Sequence, residues 1–321
     1  MGRALLPLDA KRGAMTNCFF SPNSARVRRG VLLVHFGTPA APSLAAVRTF
    51  LSHVFDKNLV AVPRIIREGW IIPKRLFSVT KKYRAIWTPQ GSPLLVQSRL
   101  FARDLAATLP PGTAVTLGMQ FGSPSIEEGI DYLKSLGVED LSIVLHTIPK
   151  QVVDGAAWVQ QSHIHEFVAQ PWYEQALASR LVDSHPEAYE KVLFSFHGLP
   201  VQTAPSYRSE CLQTAANVAA AACLPKGKAL VAFQSKVGRG EWTEPSTRSV
   251  LTKLRTEGVR RVLVICPSFV VDCLENMYEV GVEYRSEFLR LGGTELSLVP
   301  SLNQYRPWVN AVSAYLKGQW P

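Results

Sequence analysis

Val192-Leu193-Phe194-Ser195-Phe196-His197-Gly198-Leu199-Pro200 is the stretch whose reading decides the fold. Five mostly apolar residues run into His197, and Gly198 and Pro200 then force a turn. A short apolar run of this kind is the signature of a buried parallel strand. His197 therefore falls at a strand's carboxyl end, where open α/β sheets collect their ligands. Val31 to Pro39, VLLVHFGTP, repeats the pattern, and alignment on Gly-x-Pro sets Phe36 where His197 stands. Two strand ends of one design predict two similar domains with a cleft between them.

A longer repeat supports this. PSIEEGIDYLKSLGVEDLSIVL begins at Pro124, and PSTRSVLTKLRTEGVRRVLVIC begins at Pro245. A constant offset of 121 holds over 22 positions without a gap. Each copy opens with Pro, a residue suited to a helix start, and reaches Gly137 or Gly258, the residue type favoured just past a helix end. A β-branched run follows, so each copy reads as a helix and then a strand. The expected fold class is α/β, with two Rossmann-like, doubly wound parallel-sheet domains related by internal duplication. The expected boundaries are a basic tail at 1–29, a first domain at 30–165, a helical linker at 166–190, a second domain at 191–304 and a C-terminal helix at 305–321.

Composition narrows the partners. The chain has 321 residues, enough for two domains, and a formal net charge of +10. That charge favours nucleic acid, a lipid surface or an acidic small molecule. No stretch reaches the roughly 18 apolar residues of a membrane span. The five cysteines, Cys18, Cys211, Cys223, Cys266 and Cys273, include no Cys-x-x-Cys. They read as free thiols in a reducing compartment. The tail carries Arg3, Lys11, Arg12, Arg26, Arg28 and Arg29 against Asp9. It reads as a loose basic segment, an upstream start with Met15 as the true one, or a targeting peptide.

Residues 60–87 interleave Ile65, Ile66, Trp70, Ile71, Ile72, Leu76 and Phe77 with Arg64, Arg67, Lys74, Arg75, Lys81, Lys82 and Arg84. This basic amphipathic insertion is expected either to lie on an anionic membrane surface or to pack as a helix pair with its cations solvated.

Three stretches offer chemistry. His197 is a proton carrier or metal ligand by its type, unless it serves only the sheet. Ser268 to Phe288 carries Asp272, Glu275, Glu279, Glu283 and Glu287, a row of carboxylates on one helical face. Like charges at this spacing repel, and a nearby cation relieves them. The competing reading is a capping box from Asp272 to Glu275 followed by a solvated face. Phe233 to Trp242, FQSKVGRGEW, sets Lys236 and Arg239 among glycines, as a phosphate cradle would. Neither a Walker A nor a dinucleotide fingerprint is present, which disfavours a dinucleotide enzyme.

VLLVHFGTP, VLFSFHGLP, FQSKVGRGEW and ICPSFVVDCLENMYEVGVEY together resemble ferrochelatase, a class II chelatase of haem synthesis. The resemblance runs from about Val31 to Asn303 and rests on FSFHGLP together with the Asp272–Glu275–Glu279 run. It implies a porphyrin cleft between two Rossmann-like domains, with His197 and Glu275 as the catalytic and metal-handling pair. Asp272 and Glu279 would continue an acidic path for metal or protons, on a helix that is often locally π-like in the family. Phe36, Met119, Trp242 and Lys150 would touch the porphyrin. Fe²⁺ and protoporphyrin IX would be substrates, with no permanently bound cofactor. The cysteine-rich extension of animal members is absent, so no iron–sulfur cluster is expected. The resemblance implies a bacterial-type, cytoplasmic enzyme peripheral to the inner membrane, with no nucleic acid partner. Monomer or homodimer stays open.

The chain also departs from the pattern. Met119-Gln120-Phe121 replaces Met-Arg-Tyr, and Leu145 to Lys150, LHTIPK, replaces Leu-Tyr-Pro-Gln-Tyr-Ser. Either Lys150 supplies the cation that Gln120 does not, which is the favoured expectation, or the pocket has drifted and the enzyme is weak. Members that use coproporphyrin carry Tyr where Phe36 stands, which favours protoporphyrin here. The alternatives are a chelatase for coproporphyrin, or for cobalt or nickel, and a non-catalytic porphyrin or haem carrier.

Overall fold

The duplication appears in the three-dimensional structure, a computed structural model describing residues 17–22, 26–58, 62–145, 161–166, 170–202, 205–236 and 240–320. Helix α5 (Ile126–Ser135) and strand β4 (Asp140–Leu145) form one copy. Helix α8 (Thr247–Thr256) and strand β8 (Arg261–Ile265) form the other, at the same offset. Ser125 and Ser246 cap the two helices by accepting from the N–H groups of Glu128 and Ser249. Each cap satisfies a backbone donor that the first helical turn leaves open.

The first sheet has the order β1 (Cys18–Phe20), β3 (Thr113–Phe121), β2 (Arg29–Gly37), β4, β5 (Gln161–Glu166). β1 is antiparallel to β3, and the other pairs are parallel. The second sheet has the order β7 (Ala229–Gln234), β6 (Lys191–His197), β8, β9 (Glu295–Leu298), all parallel. With β1 set aside, both sheets place the first strand between the second and third. That shared order puts a crevice at the carboxyl ends of β2 and β4, and another at those of β6 and β8.

Strand β5 was not expected. The helical linker expected at 166–190 is preceded by a further strand: Gln161–Glu166 pairs in register with β4, and helix α6 (Pro171–Val182) follows. The chain's last helix, α10 (Arg306–Gln319), returns to the first half. Its Trp308 is wholly buried and stacks on Phe101 of α4 (Pro93–Ala106) and on Trp172 of α6. Trp320 donates from Nε1 to Ser142 on β4.

The basic insertion differs from the expected helix pair. Helix α2 (Arg64–Ile66), a π turn (Arg67–Ile71) and helix α3 (Ile72–Ile86) follow one another without a break. Ile72 and Tyr83 pack with Val47, Phe50, Leu51 and Phe55 of α1 (Leu44–Asn58), and Thr80 and Ile86 are buried as well. Ile65, Trp70 and Phe77 stay 82%, 70% and 71% exposed. The segment is thus one packed helical run that leaves large apolar side chains in solvent.

Candidate active site at the strand ends

His197 ends β6, where the backbone fixes its position from both sides. Its N–H donates to Ser268 Oγ at 3.0 Å, and its carbonyl accepts from the Tyr207 hydroxyl at 2.8 Å. The half-buried imidazole meets the Phe269 ring edge-on, 6.0 Å between centroids. Ser268 and Phe269 belong to the loop after β8, so the β6 and β8 ends are joined at the second sheet's crevice.

A glycine after His197 suggests open space beside the imidazole, but the chain closes there instead. A Cβ at Gly198 would lie 2.9 Å from the Gln234 carbonyl and 3.5 Å from the Trp242 ring. Glycine is required because the chain closes tightly there, with Gly198 N–H donating to the Gln234 carbonyl at 2.7 Å. Trp242 is half-buried against that turn, and its neighbours Thr243 and Leu199 exchange hydrogen bonds.

The acidic row begins beyond the β8 loop. Glu275–Tyr284 is wound as a π-helix, a form concentrated at functional sites. The expected capping box from Asp272 to Glu275 does not form. Asp272 instead accepts from Asn276 Nδ2 at 2.8 Å, Asn303 Nδ2 at 2.7 Å and the Ser301 N–H at 3.1 Å. Asn276 takes over the local cap by accepting from the Cys273 N–H. Asp272 thus anchors the segment to the loop after β9.

Glu279 is held as firmly. It accepts from the Ser235 N–H at 3.0 Å, Ser235 Oγ at 2.7 Å and the Tyr284 hydroxyl at 2.5 Å. Tyr284 lies five residues on, the spacing that the π turn aligns. Burial, and then Glu279, push the Tyr284 phenol above its ordinary value. Glu283 pairs with Lys82 at 3.2 Å and Arg248 at 2.7 Å, and Glu287 pairs with Arg248 at 2.8 Å. Glu275 has a weaker partner, the Cys273 thiol, while its backbone carbonyl accepts from Gln234 Nε2 at 3.0 Å. Among the described residues, no three His, Cys, Asp or Glu side chains gather as a group able to hold a metal ion.

The first half supplies an apolar counterpart. Phe36 meets Phe121 at 4.9 Å and Phe50 at 6.4 Å, both edge-on. Leu274, next to Glu275, packs on the same cluster. So does Tyr83, whose phenol is pushed well above its ordinary value by burial first and then by Glu275. Lys82 adds an ion pair to Glu283 and lies over the Tyr278 ring at 5.2 Å. Helix α3 of the first half therefore packs across to the π segment of the second.

Met119 is not brought to the cleft. It is 1% exposed and paired with His35 inside the sheet. Phe121, two residues on, makes the contact with Phe36 instead. Lys236 is exposed at the end of β7, whereas Arg239, the divergent stretch from His146 and Lys150 itself lie outside the described residues. Tyr207, Ser268, Gln234 and Tyr83 were missed in the sequence. Gln234 alone carried a signal, as the last residue of a second-sheet strand.

The solved sirohydrochlorin chelatase SirB of Bacillus subtilis subspecies spizizenii, in complex with cobalt, shares the fold. The TM-score is 0.52 at 11% sequence identity, covering 91% of this chain and 98% of that one. The shared architecture is an α/β fold, here built as two Rossmann-like halves, each with its own parallel-stranded sheet. The Ferrochelatase family model matches residues 28–319, and the chain belongs to the ferrochelatase family. A ferrochelatase of Coxiella burnetii (strain CbuG_Q212) is 34% identical over 331 aligned positions, covering 90% of this chain and 93% of its own length. One from Edwardsiella ictaluri (strain 93-146) is 36% identical over 300, covering 86% and 93%. One from Actinobacillus pleuropneumoniae serotype 5b (strain L20) is 37% identical over 318, covering 90% and 98%.

Proposed function

We propose that this chain inserts Fe²⁺ into protoporphyrin IX, forming haem b and releasing two protons, as a lyase of haem biosynthesis. Family membership supports the reaction class. The observation that carries the site reading is the uneven holding of the acidic row. Asp272, Glu279, Glu283 and Glu287 are each held by strong donors or cations, while the Glu275 carboxylate has a thiol beside it. Glu275 is then the carboxylate left to handle a cation or a proton.

In this reading the porphyrin lies between the Phe36 side and His197. Two pyrrole N–H protons must leave as the metal enters, and His197 takes them one at a time at the ring face, releasing the first to solvent before accepting the second. Glu275 offers a hard oxygen ligand that suits incoming Fe²⁺. Asp272 and Glu279 hold the π segment in shape. Phe36 has no hydroxyl to bind the metal, so it makes apolar contact and favours protoporphyrin over coproporphyrin.

The exposed Ile65, Trp70 and Phe77, with exposed Arg64, Lys74 and Lys81, fit a surface that rests on anionic lipid. None of the helices among the described residues is long and apolar enough to cross a membrane. The proposed setting is the cytoplasm, with peripheral membrane contact.

An anaerobic assay tests the reaction. Purified protein is given protoporphyrin or coproporphyrin with Fe²⁺, Co²⁺ or Ni²⁺, and metalated product is followed by absorbance. Haem b formed with the highest kcat/KM is the expected result. Porphyrin binding without metal-dependent product would make the chain a carrier. Sedimentation with anionic but not neutral vesicles tests the lipid contact.

A further inference from the structure

Gln234 lies at the carboxyl end of β7 and is 2% exposed. A buried amide must find partners for both its ends, and its partners here join several elements. Its Oε1 accepts from Ser195 Oγ at 2.6 Å and from the Cys266 thiol at 3.5 Å. Ser195 is in turn bonded to Thr247 Oγ1 at 2.7 Å. Those contacts fix which way the amide points and leave Nε2 facing outward. Nε2 donates to the backbone carbonyl of Glu275 at 3.0 Å. The main chain of Gln234 works in the other direction. It is the registered partner of His197 across β6 and β7, and its carbonyl accepts from the Gly198 N–H at 2.7 Å.

One residue thus bonds the Glu275 backbone directly and the His197 strand end through the next residue, Gly198. The Glu275 carbonyl is at the first turn of the π segment, where an α-helical bond pattern gives way to a wider one. A donor from outside the helix suits that turn, because π winding re-pairs the carbonyls. We infer that Gln234 is a positioning residue that sets the Glu275 carboxylate at a fixed distance and angle from His197. It touches neither metal nor porphyrin. Its effect comes through geometry, and small misplacements of reacting groups are expensive in rate.

This inference rests on His197 and Glu275 being the acting pair. Gln234→Met keeps length and volume but cannot donate to the Glu275 carbonyl. Its kcat is expected to fall roughly 10- to 100-fold, with the porphyrin dissociation constant, read by fluorescence quenching, within twofold of the parent. Leu251→Ala, in the second-half core, provides a variant destabilised without contact to either residue. At matched loss of melting temperature it should keep its kcat. Gln234→Asn retains a polar partner for Ser195 but shortens the reach, and it carries the test if the Met variant does not fold. Its kcat should fall in the same way.

A kcat within twofold of the parent in a folded Gln234 variant overturns the inference. So does a loss no greater than that of Leu251→Ala at equal melting temperature, or a loss confined to porphyrin binding. If His197→Ala and Glu275→Gln are inactive while Gln234→Met turns over normally, this inference alone falls. If those two variants also turn over normally, the site reading falls and takes the inference with it.

Discussion

The ends of β2 and β6 come from one design and have diverged in opposite directions. Both run apolar into a glycine turn, and both have a partner strand whose backbone crowds that glycine. A Cβ at Gly37 would sit 1.7 Å from the Phe121 carbonyl, much as one at Gly198 would crowd Gln234. At β6 the last side chain is the imidazole of His197, a residue whose backbone is held by Ser268, Tyr207 and the β7 pairing. At β2 it is Phe36, set among aromatic rings. One frame ends in an imidazole in one half and in a ring among aromatic rings in the other. The difference teaches that the backbone supplies position while one side chain at the strand end supplies chemistry.

The comparison breaks most readily at the polar end. His197→Ala should cost on the order of 10²- to 10⁴-fold in kcat, with the circular dichroism spectrum unchanged. A well-folded variant with near-parental turnover would remove the asymmetry. Next, Glu275→Gln and Glu279→Gln should separate. Glu275→Gln is expected to lose about 100-fold or more in turnover with little change in melting temperature. Glu279→Gln sets an amide nitrogen among donors from Ser235 and Tyr284 and should lose roughly 1 to 3 kcal/mol of stability. Equal loss of activity and stability in both would return the row to a single function.

Phe36→Tyr sharpens the apolar side. It adds an oxygen where the second half already has a nitrogen. The kcat/KM ratio of coproporphyrin to protoporphyrin should rise about 10-fold. A ratio that stays fixed would mean Phe36 does not set the substrate preference.

The smallest effect on turnover is expected one residue earlier. His35 is buried within the sheet, and burial pushes its imidazole down from 6.5 to about 3. The unfolded chain therefore binds this proton first. The site's contribution is full above the unfolded value and is lost as the pH drops through 6.5 toward 3. At pH 5 the loss is about 2 kcal/mol. His35→Asn should flatten the fall in melting temperature between pH 7 and 5 while leaving kcat alone. An equally steep fall in the variant would place the acid sensitivity elsewhere.

Periodicity and repeats made the two sheets legible, because strands buried on both faces and helices capped by Pro-Ser leave strong local marks. The acidic segment was legible as residues but not as a shape. Asp272 to Glu275 has the spacing of a capping box, yet Asn276, Ser301 and Asn303 compete for Asp272 and win. Two of those partners come from a distant part of the chain, where no local pattern points. β5 was missed because its hydrogen-bond partner, β4, lies in the preceding unit and its own residues alternate weakly. Met119 lies within β3, which is covered on both faces and pairs it with His35, whereas Phe121, the strand's last residue, meets the Phe36 ring.

Helix α10 has a consequence for how the chain comes to be folded. Domains are usually completed from the amino terminus as synthesis proceeds. Here the slot between Phe101, Trp172 and Tyr173 is filled by Trp308. The amino-terminal half must then wait, with apolar surface uncovered, while the second half is made. A nascent chain stalled before residue 306 should bind chaperones through that slot, and release should follow emergence of the last helix.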